Sequence, residues 1–213
     1  MSKEENVIKY YVMCNKLKDV VRTGWIDWNV SRDRVESVAE HIYGVQMLAI
    51  AMWSEYKYDI DLFKVLSMIA VHELEEILIG DLTSFQIDHY TKEKLGHEAI
   101  EKILKSLHSG IDIKKLILEF DERKTKEAYF AYQCDKLECD LQAKLYDEQG
   151  CVDLHNQERS NAAKNGEVKE YLKSNLSWSE MWLRYDQKNI DYDNNFSSIS
   201  NYAISNKIQI KDN

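Results

Sequence analysis

Not one proline interrupts the 213 residues of this chain, and there are only seven glycines. Proline breaks a helix by removing a donor and clashing with the preceding turn, and glycine by its backbone freedom. Long helices are therefore permitted but not required, and periodicity must supply the positive argument. Apolar residues recur at helical spacing along most of the chain. This predicts helices near 3–21, 36–57, 61–79, 92–108, 113–122, 124–148, 160–175 and 177–186. Gly24, Gly80, Gly110 and Gly150 fall at or near positions where a helix should stop, as expected of the residue that most readily takes a left-handed cap. No alternating strand pattern of useful length occurs before residue 200. The expected class is all-α: one helical domain over 1–186, then a polar tail over 187–213, docked or partly ordered. That Asn/Asp/Ser-rich tail carries Tyr192, Phe196, Ile199 and Tyr202.

Bulk properties narrow the partners. A chain of this size buries a continuous core without disulfides or a structural metal. With 44% hydrophobic and 31% charged residues it has the composition of a soluble domain. Net charge is -9, so a nucleic-acid polymer would be repelled. A small anion remains acceptable, because one metal ion and one arginine reverse the local field. The N-terminal Met1-Ser2-Lys3-Glu4-Glu5 leads into a charged helical pattern with no apolar signal core. The longest apolar run, Met47 to Trp53, is far short of the ~20 residues that span a bilayer. No membrane association is expected. Cys14, Cys134, Cys139 and Cys151 show no zinc-type spacing, and Cys134 and Cys139 fall in one predicted helix as reduced core residues. The cytoplasm is the default compartment.

The informative residues are polar ones on faces that should be buried. On the second predicted helix Val38, Val45, Leu48 and Met52 form one stripe, with His41 in its middle. On the third, Leu62, Val65, Met68 and Ile69 point inward and His72 continues the line by one turn. On the long helix near 124–148, Asp135 follows Ala128 and Ala131 at helical spacing and points the same way. A lone histidine on such a face is usually a hydrogen-bonded core residue. A buried carboxylate is rarer, since it costs several kcal/mol unless paired or metal-bound. Three such residues on three helices, with Glu73 adjacent, would be satisfied together by one divalent cation. Two imidazoles and two carboxylates suit Mn, Co, Fe, Ni or Zn better than Ca. In a continuous helix Glu73 lies about 100° from His72 and Glu76 about 40°, between the two ligands. Glu76 thus projects over the metal, as a general acid or base should. Glu75, about 60° to the other side, reads as a solvated charge.

The order His41, His72-Glu73, Asp135 resembles the H…HD…D signature of the HD-domain phosphohydrolases. The pieces Arg22-Thr23-Gly24-Trp25, Glu36-Ser37-Val38-Ala39-Glu40-His41, His72-Glu73-Leu74-Glu75-Glu76 running to Gly80-Asp81, and Asp135-Lys136-Leu137 are similar to the 5′-deoxynucleotidase branch, the YfbR- and HDDC2-like proteins. The resemblance covers roughly residues 8–148, about two thirds of the chain. It implies an HD-domain helical bundle. It makes His41, His72, Glu73 and Asp135 ligands of one divalent metal (Co, Mn, Fe, Ni, Zn or Mg) and Glu76 the catalytic acid or base, with Asp81 also at the catalytic and sugar side. By the same resemblance Arg22 would hold the phosphate, Trp25 would lie against the substrate, and Thr83 with Asp81 would meet the sugar. Taken without it, Asp81 reads as a helix-terminal turn residue, Arg22 as a solvated charge and Trp25 as a core aromatic. Glu73 departs from the family's aspartate by one methylene, and Leu82-Thr83-Ser84 lacks the proline that relatives often carry.

The expected activity is metal-dependent removal of phosphate from (deoxy)nucleoside 5′-monophosphates, by a water acidified toward ~7 and attacking in line. Two alternatives stay open. One is another HD-type chemistry, a phosphodiesterase or nucleotide pyrophosphohydrolase. His89 and His97 show no ligand spacing that would support the second metal such relatives need. The other is a non-catalytic nucleotide-binding helical protein. The i, i+4 pair Trp178 and Trp182 suits either a homodimer interface or a core satellite beneath the tail.

Overall fold

The computed structural model describes residues 2–209. Among the described residues twelve α-helices run in order: α1 Lys3–Cys14, α2 Thr23–Asp27, α3 Val38–Tyr56, α4 Leu62–Val71, α5 Glu76–Ile79, α6 His89–Leu104, α7 Gly110–Glu122, α8 Lys126–Glu148, α9 Asn161–Lys164, α10 Gly166–Leu172, α11 Trp178–Asn189 and α12 Asn194–Ser205. Among the described residues there is no strand, and Val21 and Ser37 form one isolated antiparallel bridge. No helix among the described residues is long and apolar enough to cross a membrane.

The packing divides into two compact units, Met1–Thr23 with Glu36–Cys134, and Gly24–Val35 with Asp135–Asn213. In the first, α3 packs on α4, and α7 covers α4 and α6. Its core joins Leu17, Val38, Leu74, Ile100, Ile103, Leu104 and Ile117, with Val45, Met68, Ile69 and Phe130 also enclosed. Burial of each large apolar side chain contributes about 1.5–3 kcal/mol.

The second unit is built around aromatic rings. Trp178, 1% exposed, meets Trp25 and Trp28 edge-on at centroid distances of 6.0 and 5.8 Å, and Trp28 also meets Trp182 at 5.7 Å. Trp178 is therefore a core residue, and the half-buried Trp182 packs beside it against Trp28. The residues expected as a polar tail include a full helix, α12, which packs on α11. Asp193 caps it by accepting from the amides of Asn195 and Phe196, and Phe196, Ser200 and Ala203 are buried. Residues 210–213 of the expected tail lie outside the described residues.

Two helix boundaries bear on the site. The expected helix over 61–79 is broken: α4 ends at Val71, residues 72–75 form turns, and α5 begins at Glu76. Glycine at position 80 then ends α5 with φ 73°, a left-handed value that side-chain-bearing residues avoid. Elsewhere the boundaries differ more mildly. The first expected helix stops at Cys14 and tightens into a 3-10 turn over Asn15–Lys18. The helix expected over 160–175 is split into α9 and α10, and Gly110 starts α7 instead of ending α6.

Candidate metal centre and its acidic turn

The site begins with two capped helices. Ser37 caps α3 by accepting from the Glu40 amide, while Glu40 accepts from the Ser37 amide at 2.9 Å. This reciprocal capping box explains the Ser and Glu of the Glu36–His41 motif, and it sets His41 just inside the helix, fully enclosed at 0% exposure. Asp61 caps α4 by accepting from the Lys64 amide. The helix ends at Val71 and is followed by its cap residue His72, whose Nδ1 lies 2.7 Å from the Ile69 carbonyl oxygen. That contact requires a proton on Nδ1 and leaves Nε2 as the electron-pair donor, the arrangement a metal-binding histidine needs. Phe120 of α7 supports the His72 ring at a centroid distance of 4.9 Å, and the two histidine rings lie 5.9 Å apart.

Glu73 is the next residue in the turn. Its Oε1 is 3.6 Å from His72 Nε2 and 3.6 Å from Arg22 Nη1. Helix α8 brings Asp135 directly after buried Cys134, with Asp135 itself only 4% exposed. His41, His72, Glu73 and Asp135 each offer a ligand atom, and these atoms all lie within 4.8 Å of one another. Four convergent N/O donors around one point fit a divalent cation of the Mn–Zn series. The fit also rests on the tautomer that Ile69 imposes on His72. The Lys136 ammonium, 2.8 Å from Asp135 Oδ2, counters part of the negative charge.

Arg22 is pinned rather than loose. Its amide donates to the Glu36 carbonyl at 3.0 Å, and the Val38 amide donates to Val20 at 2.8 Å. One residue on, Thr23 donates from its amide to Asp81 Oδ2 at 2.6 Å and from its hydroxyl to the Asp81 carbonyl at 2.5 Å. Asp81 thus tethers the Arg22–Thr23 segment, so that the guanidinium is delivered beside Glu73. Thr83 is turned toward Gln86, whose Oε1 accepts from the Thr83 amide at 3.1 Å. Trp25 is 4% exposed and packs edge-on against Tyr146 at 5.3 Å in the second unit.

The acidic turn differs from its helical reading. Glu76 is buried, at 1% exposure. Burial, followed by the charges of Glu73 and Asp81, raises its pKa well above the ordinary carboxylate range. Glu75 is not the solvated charge expected from helical geometry. Its side chain folds against α6, where a Cβ on Gly96 would stand 3.3 Å from Glu75 Cγ. Its Oε2 is enclosed with no hydrogen-bond partner. Burial and the neighbouring Glu73 raise its pKa too. The cause of the departure is the break at 72–75, which turns Glu75 toward α6. Sequence reading also passed over Lys92 of α6, whose ammonium lies 3.5 Å from Glu76 Oε1. Burial lowers its pKa, but Glu73, Glu76, Asp81 and Glu75 more than offset this and raise it. The available signal was a lysine near the start of a helix, which is common on any surface.

A bundle of helices gathering two histidines and two carboxylates from separate elements defines a helical metal-centre protein. The HD domain profile matches residues 14–175, and the chain belongs to that family. It is 35% identical over 154 residues to the 5′-deoxynucleotidase HDDC2 of Dictyostelium discoideum, a match spanning 68% of this chain and 79% of that protein. Against the human 5′-deoxynucleotidase HDDC2 it is 27% identical over 146 residues, 67% and 69% of the two chains. Among solved structures, the PH0347 protein from Pyrococcus horikoshii OT3 superposes with a TM-score of 0.69 at 23% identity, over 93% of this chain and 98% of that one. A conserved hypothetical protein from Pyrococcus furiosus gives 0.59 at 26% identity, over 78% and 99%. The helices and the HD domain match give the all-α HD fold, and these superpositions show that the fold is shared.

Proposed function

We propose that this chain is a metal-dependent phosphomonoester hydrolase that removes phosphate from (deoxy)nucleoside 5′-monophosphates. The observation that carries the reading is the convergence of His41, His72, Glu73 and Asp135 within 4.8 Å, with Arg22 set beside that cluster. The relatives named 5′-deoxynucleotidase support the substrate class. One divalent ion held by the four side chains would acidify a water and draw charge from the phosphoryl oxygens.

The chain's own groups divide the remaining work. Arg22 presents a planar donor fork to two phosphoryl oxygens, on a backbone segment held by its amide bond to Glu36. Glu76, whose pKa is raised by burial beside Glu73 and Asp81, would serve as the acid that protonates the departing 5′-oxygen. Asp81 and Thr83 take the sugar side, and Trp25 lies against the substrate. Asp81 does so while keeping its bonds to Thr23. Four free thiols suit a reducing compartment, the cytoplasm.

The test is phosphate release from a panel of deoxynucleoside and ribonucleoside 5′-monophosphates with added Mn²⁺ or Co²⁺. Turnover is expected, abolished by chelation and restored by metal. Well-folded protein that releases no phosphate with any of several metals removes the hydrolase reading.

A homodimer is also proposed, and its surface is α3. Tyr43, Met47, Ile50 and Trp53 form an exposed stripe on that helix, and no charged residue occurs from Ile42 to Ser54. Two copies each carrying -9 repel, so a charge-free apolar face is where they can meet in a two-fold contact. Sedimentation or light scattering should give a dimer that Met47→Glu converts to monomer. A monomeric wild-type protein at micromolar concentration ends the dimer reading.

A further inference from the structure

Lys136 of α8 sits next in sequence to the ligand Asp135, and its ammonium lies 2.8 Å from Asp135 Oδ2. Helix geometry alone does not supply that contact, because adjacent side chains on a helix point about 100° apart. The residue that shares a face with Lys136 is Asp140, one turn on. Asp140 is 3% exposed, and its Oδ2 is enclosed without a hydrogen-bond partner. Leaving a buried acceptor unpaired is costly, so a donor that reaches it stabilises the fold. Lys136 has room to turn: its side chain is 40% exposed, against 6% for Asp135. Burial, followed by the charge of Asp186 on α11, raises the pKa of Asp140, and Lys136 opposes both. Asp186 is itself pushed up to about 7 by burial, with Lys136 drawing it down and Asp135 adding to the rise. The ammonium therefore stands among three carboxyl groups, Asp135, Asp140 and Asp186, and its short contact is with the one assigned to the metal.

We propose that Lys136 is a metal-responsive counter-ion: it balances Asp135 when no cation is held there and turns to Asp140 Oδ2 when one is. This inference rests on the metal-centre reading and deepens it by naming two residues that set the affinity of that centre. The ammonium is repelled by a divalent cation on the carboxylate they would share, and the acceptor one turn on is the place it can go. Asp140 thereby contributes to cation binding without being a ligand, and it does so through Lys136. Both are positioning residues, since neither touches the cation or the substrate. Partners of this outer kind are worth about 10- to 100-fold in metal affinity. The exposure of Lys136 to water places this pair at the lower end of that range.

The test measures the Mn²⁺ dissociation constant by isothermal titration calorimetry at neutral pH for the wild type, Asp140→Asn, Lys136→Met and the double variant. Asp140→Asn should weaken Mn²⁺ binding roughly 5- to 10-fold where Lys136 is present, and by less than about twofold in the Lys136→Met background. Lys136→Met by itself combines two opposing effects, lost repulsion and lost pairing, so the comparison is between backgrounds. Lys136→Arg, which keeps the charge and a donor, should preserve at least about a threefold effect of Asp140→Asn. Unchanged Mn²⁺ binding in Asp140→Asn overturns the proposal. Equal weakening in both backgrounds also overturns it, because Asp140 would then act through its own charge or packing. So does loss of the effect in the arginine background. Lys136→Gln gives a second neutral background should Lys136→Met fail to fold. A wild-type protein that binds no divalent cation removes the metal centre and this inference with it, whereas a background-independent effect in a protein that binds Mn²⁺ removes the inference alone.

Discussion

Asp135→Asn offers a direct test of the metal centre because it changes one ligand atom and almost no volume. The side chain is 4% exposed, and its ligand oxygen is within 4.8 Å of those of His41, His72 and Glu73. A cation bound only by the folded protein at 100 times its Kd stabilises by about 2.7 kcal/mol. For a chain of this size that is roughly 5–11 °C in Tm. Even indirect hydrogen-bond partners of a metal site are worth ~10–100-fold in affinity, so losing a carboxylate ligand should weaken binding at least ~100-fold. At the same metal concentration the variant then sits near its Kd, and the stabilisation shrinks to RT ln 2, about 0.4 kcal/mol or roughly 1–2 °C. Removing Asp135 also relieves repulsion among the carboxylates, so metal-free Tm values are expected to differ. Each protein is therefore compared with itself, with Mn²⁺ or Co²⁺ against EDTA, by differential scanning fluorimetry or calorimetry. His97→Gln, at a histidine whose partner is Asp121 on the surface, should keep the full shift. An Asp135→Asn variant stabilised as strongly as the wild type would refute the four-ligand centre.

Glu76→Gln should reduce kcat by about 10²–10⁴-fold while keeping the metal-dependent Tm shift; loss of both together would make Glu76 a ligand instead of the acid. Trp178→Ala, at the meeting point of Trp25 and Trp28, should destabilise by about 3–5 kcal/mol, read from urea unfolding, and a loss below 1 kcal/mol would contradict the aromatic core. In the second unit, burial raises the pKa of Asp140, Asp186 adds to this, and Lys136 opposes it. The folded state therefore binds this proton more tightly than the unfolded chain, and stability is lost as pH rises above the ordinary aspartate range toward the raised value. Asp140→Asn, which mimics the protonated form, should gain Tm relative to wild type as pH goes from 4 to 8; a difference that stays flat or shrinks with pH contradicts the sign.

His41, His72 and Asp135 of the candidate site were legible in the sequence for one reason. One histidine on an apolar helical face is usually an ordinary core residue, but several such polar groups on separate helices call for a common partner, and the stripes that revealed His41 and His72 are local properties of α3 and α4. Asp135 was legible from Ala128 and Ala131 for the same reason, since α8 is one unbroken helix. The all-α class followed from period and from the absence of proline, again local properties. Glu75, Lys92 and α12 were not legible. Glu75 was misread because its assigned direction assumed a continuous helix through residues 72–75. The structure ends α4 at Val71, where His72 turns its Nδ1 to Ile69. Lys92 looks like any lysine in the first turns of a helix until α6 is laid against α5. Helix α12 is rich in Asn and Ser, weak helix formers, and it persists because Asp193 caps it and Phe196 is buried.

The amino-acid sequence by itself thus determined the all-α class, the longer helices, which of their faces are apolar and which polar groups those faces would enclose. These follow from spacing along a single helix, where neighbours three and four residues apart share a face whatever else the chain does. Tertiary structure alone decided where α4 stops, which of three consecutive-region glutamates are buried, and which lysine reaches them. Those outcomes depend on distances between elements, such as the close approach that Gly96 allows. Trp25, Trp28 and Trp178 show the same division: each is an ordinary apolar residue in the chain, and only packing makes them one core.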